Sequence, residues 1–152
     1  MPGPWVRRLL AIICIAVILP TGASAGPFEE AAYFLKIEPF RVPIKMSNGL
    51  TRNGYITIVM AAQNKKRAKR ACAYLPRIRE SMIQVFLDRP IPVRNKHMDF
   101  SDIQQPLLQA VQKAVGGKTV AGMLLLEGVA DLSKGETARK IPHKPKSCNH
   151  RL

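Results

Sequence analysis

A chain of 152 residues is long enough for one domain with a single core and short end segments, and too short for several domains. With 24 Lys and Arg against 10 Asp and Glu the formal charge is +14, which points toward an anionic partner or surface and is silent about fold. The three histidines, His97, His143 and His150, stand at no recognisable spacing from a nucleophile, so the composition argues against an enzyme.

The chain opens like a secretory leader. Arg7 and Arg8 form a positive start, Leu9 to Leu19 is an unbroken apolar run, and Ala23-Ser24-Ala25 supplies the small residues a signal peptidase accepts. Cleavage after residue 25 would start the exported chain at Gly26. The rival reading is an uncleaved anchor, since no charge occurs from Leu9 to Ala25. That run only just reaches the lower limit for crossing a bilayer core. The expected organisation is therefore a leader or anchor over 1–25, one α+β domain over 26–131, and a basic tail over 132–152. The tail has little to bury and reads as disordered.

Along the domain, YFLKIEPFRVPIKM reads as two extended pieces meeting at Glu38-Pro39, because a residue before proline is pushed toward extended geometry. Pro43 cannot donate to a ladder, so the second piece is expected at a sheet edge. Asn48-Gly49 and Asn53-Gly54 both read as turns. A strand from Tyr55 to Ala62 follows, with Ile56, Ile58 and Met60 alternating against Tyr55, Thr57 and Val59.

The stretch Asn64 to Leu87 is the main helical segment. Ala68, Cys72, Leu75, Ile78 or Arg79, Met82 or Ile83, and Phe86 recur at three- and four-residue steps and form one apolar face that needs a sheet to cover. Asn64 is placed to cap it. Pro76 inside the pattern predicts a kink near Cys72 to Leu75 or two consecutive helices. Asp88 to Phe100, with two prolines and no helical period, reads as a crossing loop. Ser101 and Gln104 then have the spacing of a capping box. The second helix carries Ile103, Leu107, Leu108, Val111 and Val115 as its stripe and stops at Gly116-Gly117. Thr119 to Leu126 is an apolar strand without clean alternation, expected in the sheet interior.

Two groups of residues bear on function. Lys65, Lys66, Arg67, Lys69 and Arg70 crowd the first turns of the main helix, the wrong end for positive charge beside a helix dipole. They are a candidate interaction patch for an anionic membrane surface or envelope polymer, joined by the basic residues of the tail. Nucleic acid is not expected, because no aromatic stacking platform accompanies the charges. Export would bring Cys72 and Cys148 into an oxidising space, where they are a candidate disulfide tying tail to helix. Alternatively, Cys72 is a small buried hydrophobe on the apolar face. No cofactor and no metal site is expected. Asp99 and Asp102 near Glu80 read as capping and loop residues, and His143, Cys148 and His150 lack a fourth ligand.

Glu-Pro-Phe-Arg-Val-Pro-Ile at Glu38 to Ile44 and Leu-Pro-Arg-Ile-Arg-Glu at Leu75 to Glu80, followed by a second helix and a final apolar strand, resemble the flagellar basal-body-associated FliL family over roughly Tyr33 to Glu127. Pro43 stands where that family's first motif has Asn. The resemblance implies a stomatin-like α+β domain, a small and mostly antiparallel sheet covered by two helices. It further implies a non-enzymatic periplasmic protein, attached or not to the inner membrane. Such a protein supports the motor in motility beside stator or basal-body partners, and assembles with copies of itself.

Overall fold

The computed structural model describes residues 31–130, together with 132, 141 and 145–148. The expected leader, 1–25, lies outside the described residues, and among those described no helix is long and apolar enough to cross a membrane. The architecture is α+β. In chain order the elements are β1 (Tyr33–Lys45), β2 (Thr51–Ala62), α1 (Lys65–Ala73), α2 (Leu75–Asp88), β3 (Ile91–Arg94), β4 (His97–Met98), α3 (Gln104–Val115), β5 (Gly122–Glu127) and β6 (Lys146–Ser147). The sheet runs β4-β3-β1-β2-β5, with β6 added to β1. It is mixed, since β1 pairs in parallel with both β3 and β6, and three helices accompany it. The two long ladders, β1–β2 and β2–β5, are antiparallel, and the parallel pairings and the third helix correct the expected small sheet under two helices.

The two pieces expected around Glu38-Pro39 are one strand. In the ladder with β2, Ile37 faces Ile58 and Phe40 faces Ile56, so Glu38 and Pro39 together oppose the single residue Thr57. This bulge has a consequence for packing. Side chains alternate with period two, so one extra residue moves the inward face from Leu35 and Ile37 to Phe40 and Val42, and all four enter the same core. Nor is the second piece an edge. Its Ile44 and Lys45 pair with β3, Leu35 and Lys36 pair with β6, and Pro43 falls in the gap between those two pairings.

Asn48-Gly49 makes the expected turn: Gly49 has φ 82°, the Met46 amide donates to Leu50 O, and the Leu50 amide donates to Asn48 Oδ1. Asn53-Gly54 does not. Both residues lie within β2, facing Pro43 and Val42. Gly54 lies close against side chains: a Cβ there would come 2.5 Å from the Met98 methyl group, the flexible end of its side chain, and 3.3 Å from two carbons of Ile44.

The main helical segment is two consecutive helices. Tyr74 separates them and Pro76 sits in the first turn of α2, where its missing amide costs no hydrogen bond. Asn64 caps α1 by accepting from the Arg67 amide at 2.9 Å. Ala68, Ala71, Ile78, Met82 and Phe86 are buried against the sheet, while Ile83 faces out. Full burial of side chains like Ile78 and Phe86 contributes about 2 kcal/mol each. In α3 the stripe of Leu107, Val111 and Val115 is buried as its period predicts, and the helix ends at Gly116, φ 71°. Its start differs from the expected capping box. The Ser101 hydroxyl and amide both donate to Asp99 Oδ1, and Gln104 Nε2 donates across the core boundary to Met123 O.

Asp88 to Phe100 holds a hairpin instead of a plain crossing loop. Asn95 and Lys96, both with positive φ, turn β3 into β4, the two-residue connection whose twist suits paired strands. β5 is an edge strand, not an interior one, bonded only to β2 among the described residues. Its lack of alternation has another source: the sheet is covered on both faces. Ile56, Ile58, Met60, Met123 and Leu125 join the helices in one core. Phe34, Val59 and Ala61 form a second with Ile141, and Leu124 and Leu132 pack against it. The described part of the tail therefore buries apolar surface and adds a strand, contrary to the expectation of disorder. Thr57 steers the chain onto that second face, donating to Gly128 O and accepting from the Ala130 amide, both at 2.9 Å.

Candidate functional site

α1 is built from two kinds of residue. Ala68, Ala71 and Cys72 are small enough to let the helix lie close on β1 and β2, and each remaining position before the final Ala73 carries charge. Lys65, Lys66, Lys69 and Arg70 are exposed and Arg67 is half-buried. Arg67 Nη1 donates to the side chain of Gln63, one turn back. The Arg70 guanidinium stands 5.8 Å from the centre of the Tyr74 ring, and a Cβ on Gly116 would lie 3.3 Å from its Nη2. Arg70 thus lies beside the end of α3 and is exposed.

That end contributes what the sequence did not place with the patch. With Gly116 and Gly117 at φ 71° and 85°, the chain turns sharply and brings Lys118 to the first turn of α1. Lys66, Arg67, Arg70 and Lys118 line one cavity of about 320 Å³ with Asn64, Gly116 and Thr119, and no acidic residue lines it. None of these four cations is in an ion pair among the described residues. Lys65 and Lys69 stand outside the cavity. A groove of about 680 Å³ between α2 and α3 adjoins it through Arg70 and Gly116, and carries both signs of charge, Arg77 and Lys113 against Glu80 and Asp88. Read from sequence, Gly116-Gly117 is a helix stop, and Gly116-Gly117-Lys118 argues against phosphate binding because it follows a helix instead of opening one. The fold overrides that expectation by setting Lys118 beside the start of another helix, α1.

Cys72 and Cys148 are joined in a disulfide, with Cα atoms 5.3 Å apart and a sequence separation of 76. Both also pack against the main core, so the bonded and the buried readings of Cys72 describe the same residue. Closing a loop this long corresponds to about 4 kcal/mol in the chain-entropy picture.

The two short motifs behind the family resemblance touch. Arg79, from Leu75 to Glu80, stacks over the Phe40 ring at 4.6 Å and lies 3.9 Å from Glu38, both in the first motif. Phe40 in turn meets Phe86 with ring centres 6.1 Å apart.

Asp99, Asp102 and Glu80 do not converge on one site. Asp99 and Asp102 line a small cavity beside β3, whereas Glu80 lines the groove between α2 and α3. Asp99 is held below the ordinary carboxylate range chiefly by the hydrogen bond from the Ser101 side chain, then by the Ser101 amide and the charge of Arg94. His97 lies 3.4 Å from Glu127, with both side chains exposed. His143 and His150 fall outside the described residues, and among those described no three His, Cys, Asp or Glu side chains gather as metal ligands would. Compared with protein-family models, curated proteins and solved structures, the chain finds no match.

Proposed function

We propose that this chain is an exported, non-catalytic domain that binds anionic surfaces or polymers of the cell envelope through the basic end of α1. The observation that carries the reading is the concentration of cations there without acidic partners. Lys65, Lys66, Arg67, Lys69 and Arg70 are joined by Lys118, and none of them is in an ion pair among the described residues. Charge kept unpaired at a helix start works against the dipole and does nothing for the fold, but it attracts anions. Binding of the protein to vesicles containing anionic lipid should weaken about a hundredfold between low and physiological salt, as counterion release by several contacts requires. Affinity unchanged over that range would overturn the reading.

A second reading is a stomatin-like member of the FliL-type proteins, supporting the flagellar motor from the periplasm in contact with stator or basal-body partners. It is favoured by the contact of Arg79 with Glu38 and Phe40, which gives the two motifs a shared packing role. Deleting the gene should then weaken spreading in soft agar while filaments remain intact. Normal spreading would remove the flagellar role and leave the anion-binding one standing.

A further inference from the structure

We propose that the cavity between the first turn of α1 and the Gly116–Thr119 turn is a phosphate site, and that its ligand is a phosphomonoester. The inference rests on the anion-binding reading above and narrows it from a charged face to one chemical group. Two separate parts of the chain build the cavity: Lys66, Arg67 and Arg70 from α1, and Lys118 from the turn after α3. Four cations around 320 Å³ without a carboxylate repel one another, and an anion seated among them relieves all of those repulsions together. The mixture of side chains matches phosphate. Arg67 and Arg70 offer planar forks suited to two oxygens at a time, while Lys66 and Lys118 act as point charges.

A monoester fits better than a diester for two reasons. It carries close to two negative charges at neutral pH and presents three oxygens, where a diester has one charge and two free oxygens. It also needs an exit for only one substituent. The groove between α2 and α3 shares Arg70 and Gly116 with the cavity and offers that exit. The cavity's volume lies at the small end of ligand pockets, enough for a phosphate and its first substituent atoms. Arg70 is the cation shared by cavity and groove: its guanidinium lies 5.8 Å from the Tyr74 ring centre, and the bare Gly116 leaves room for it beside the end of α3.

The test uses the full exported chain, with phosphatidylcholine vesicles containing either phosphatidic acid, a monoester, or phosphatidylglycerol, a diester, adjusted to equal surface potential. Inorganic phosphate is titrated in parallel by calorimetry. Lys118→Gln removes a cation that lines the cavity, and Lys69→Gln removes one from the same basic end that does not. The expected result is binding at least about fivefold tighter to the phosphatidic acid vesicles, a preference lost in K118Q. K69Q should lower binding to both vesicles by one common factor of about five, the effect of one basic residue near an anionic surface. Displacement of bound protein by millimolar inorganic phosphate identifies a free phosphate as sufficient; no displacement identifies the lipid headgroup as the source. Equal binding to the two vesicles, with K118Q behaving like K69Q, overturns the phosphate site and leaves the anion-binding reading intact. Phosphate binding that K118Q abolishes, without vesicle binding, upholds the site and overturns the surface reading. No binding in any arm overturns both.

Discussion

Two regions of this molecule carry charged side chains and use them differently. At the β3–β4 hairpin basic side chains meet carboxylates: Arg94 lies 3.1 Å from Asp99, and the His97 ring lies 3.4 Å from Glu127, while Lys96 in the turn has no such partner among the described residues. At the start of α1 six basic residues gather and no carboxylate answers them. The hairpin end is arranged to hold a turn in shape. The α1 end is held in shape by other means, namely an asparagine cap, buried alanines and a disulfide, which leaves its charges free for something outside the chain. Pairing therefore distinguishes charge that serves the fold from charge available to a ligand.

The largest effect should come from what secures the basic end. Cys148→Ser, or reduction of the protein, should cost about 4 kcal/mol in urea unfolding, since Cys72 sits on α1 itself. A loss below 1 kcal/mol would mean that α1 needs no tether. Next, replacing Lys65, Lys66 and Lys69 together with Gln should lower affinity for anionic vesicles by about a hundredfold, at roughly fivefold per residue. The same triple variant should change unfolding free energy by no more than about 0.5 kcal/mol, as expected of exposed residues. Marked destabilisation would show these cations to be structural and erase the contrast between the two ends.

Arg79→Ala should cost about 1 kcal/mol, because its main contact is stacking on Phe40 and the Glu38 carboxylate is distant and exposed. Thermal melts at low and high salt separate the two parts, since only the carboxylate contact is screened. The smallest effect belongs to Asp99→Asn. The native carboxyl has a lowered pKa, so its stabilisation is present above the ordinary carboxylate value and is lost as pH falls through the lowered one. The melting temperatures of D99N and the native protein should differ slightly at neutral pH and converge in acid. A difference that persists in acid would show the residue acting by shape instead of charge.

Much of the helical part of this fold was legible because its signals are local. Asn64 next to a charged run, Pro76 at a helix start, the stripe from Leu107 to Val115 and the glycines after it each act within a few residues, and each does in the structure what its chemistry predicts. The sheet was harder to read because partners far away decide it. Gly54 looks like a turn residue until Met98 is known to lie against it. Ser101 looks like a cap until Asp99 takes its hydroxyl. Glu38-Pro39 looks like a break, yet it inserts one residue and keeps four side chains pointing the same way. The apolar β5 looked interior since nothing in its own sequence says that Leu132 and Ile141 help cover the other face. In the candidate site the same division holds. The cluster on α1 is contiguous and visible, whereas Lys118 joins it only through the fold.

The separation of the two bridged cysteines also sets an order of events. If the chain emerges into an oxidising space from its N-terminus, Cys72 is exposed 76 residues before its partner. During that interval its thiol stays reduced, or exchanges with the disulfide of an oxidant, which releases one thiol and holds Cys72 as a mixed disulfide until Cys148 arrives. The correct bond then forms by exchange, with β6 pairing beside β1 to bring the late sulfur into place. The bond that ties tail to helix is thus the last to form, and a free Cys72 thiol is the species to look for when export outruns oxidation.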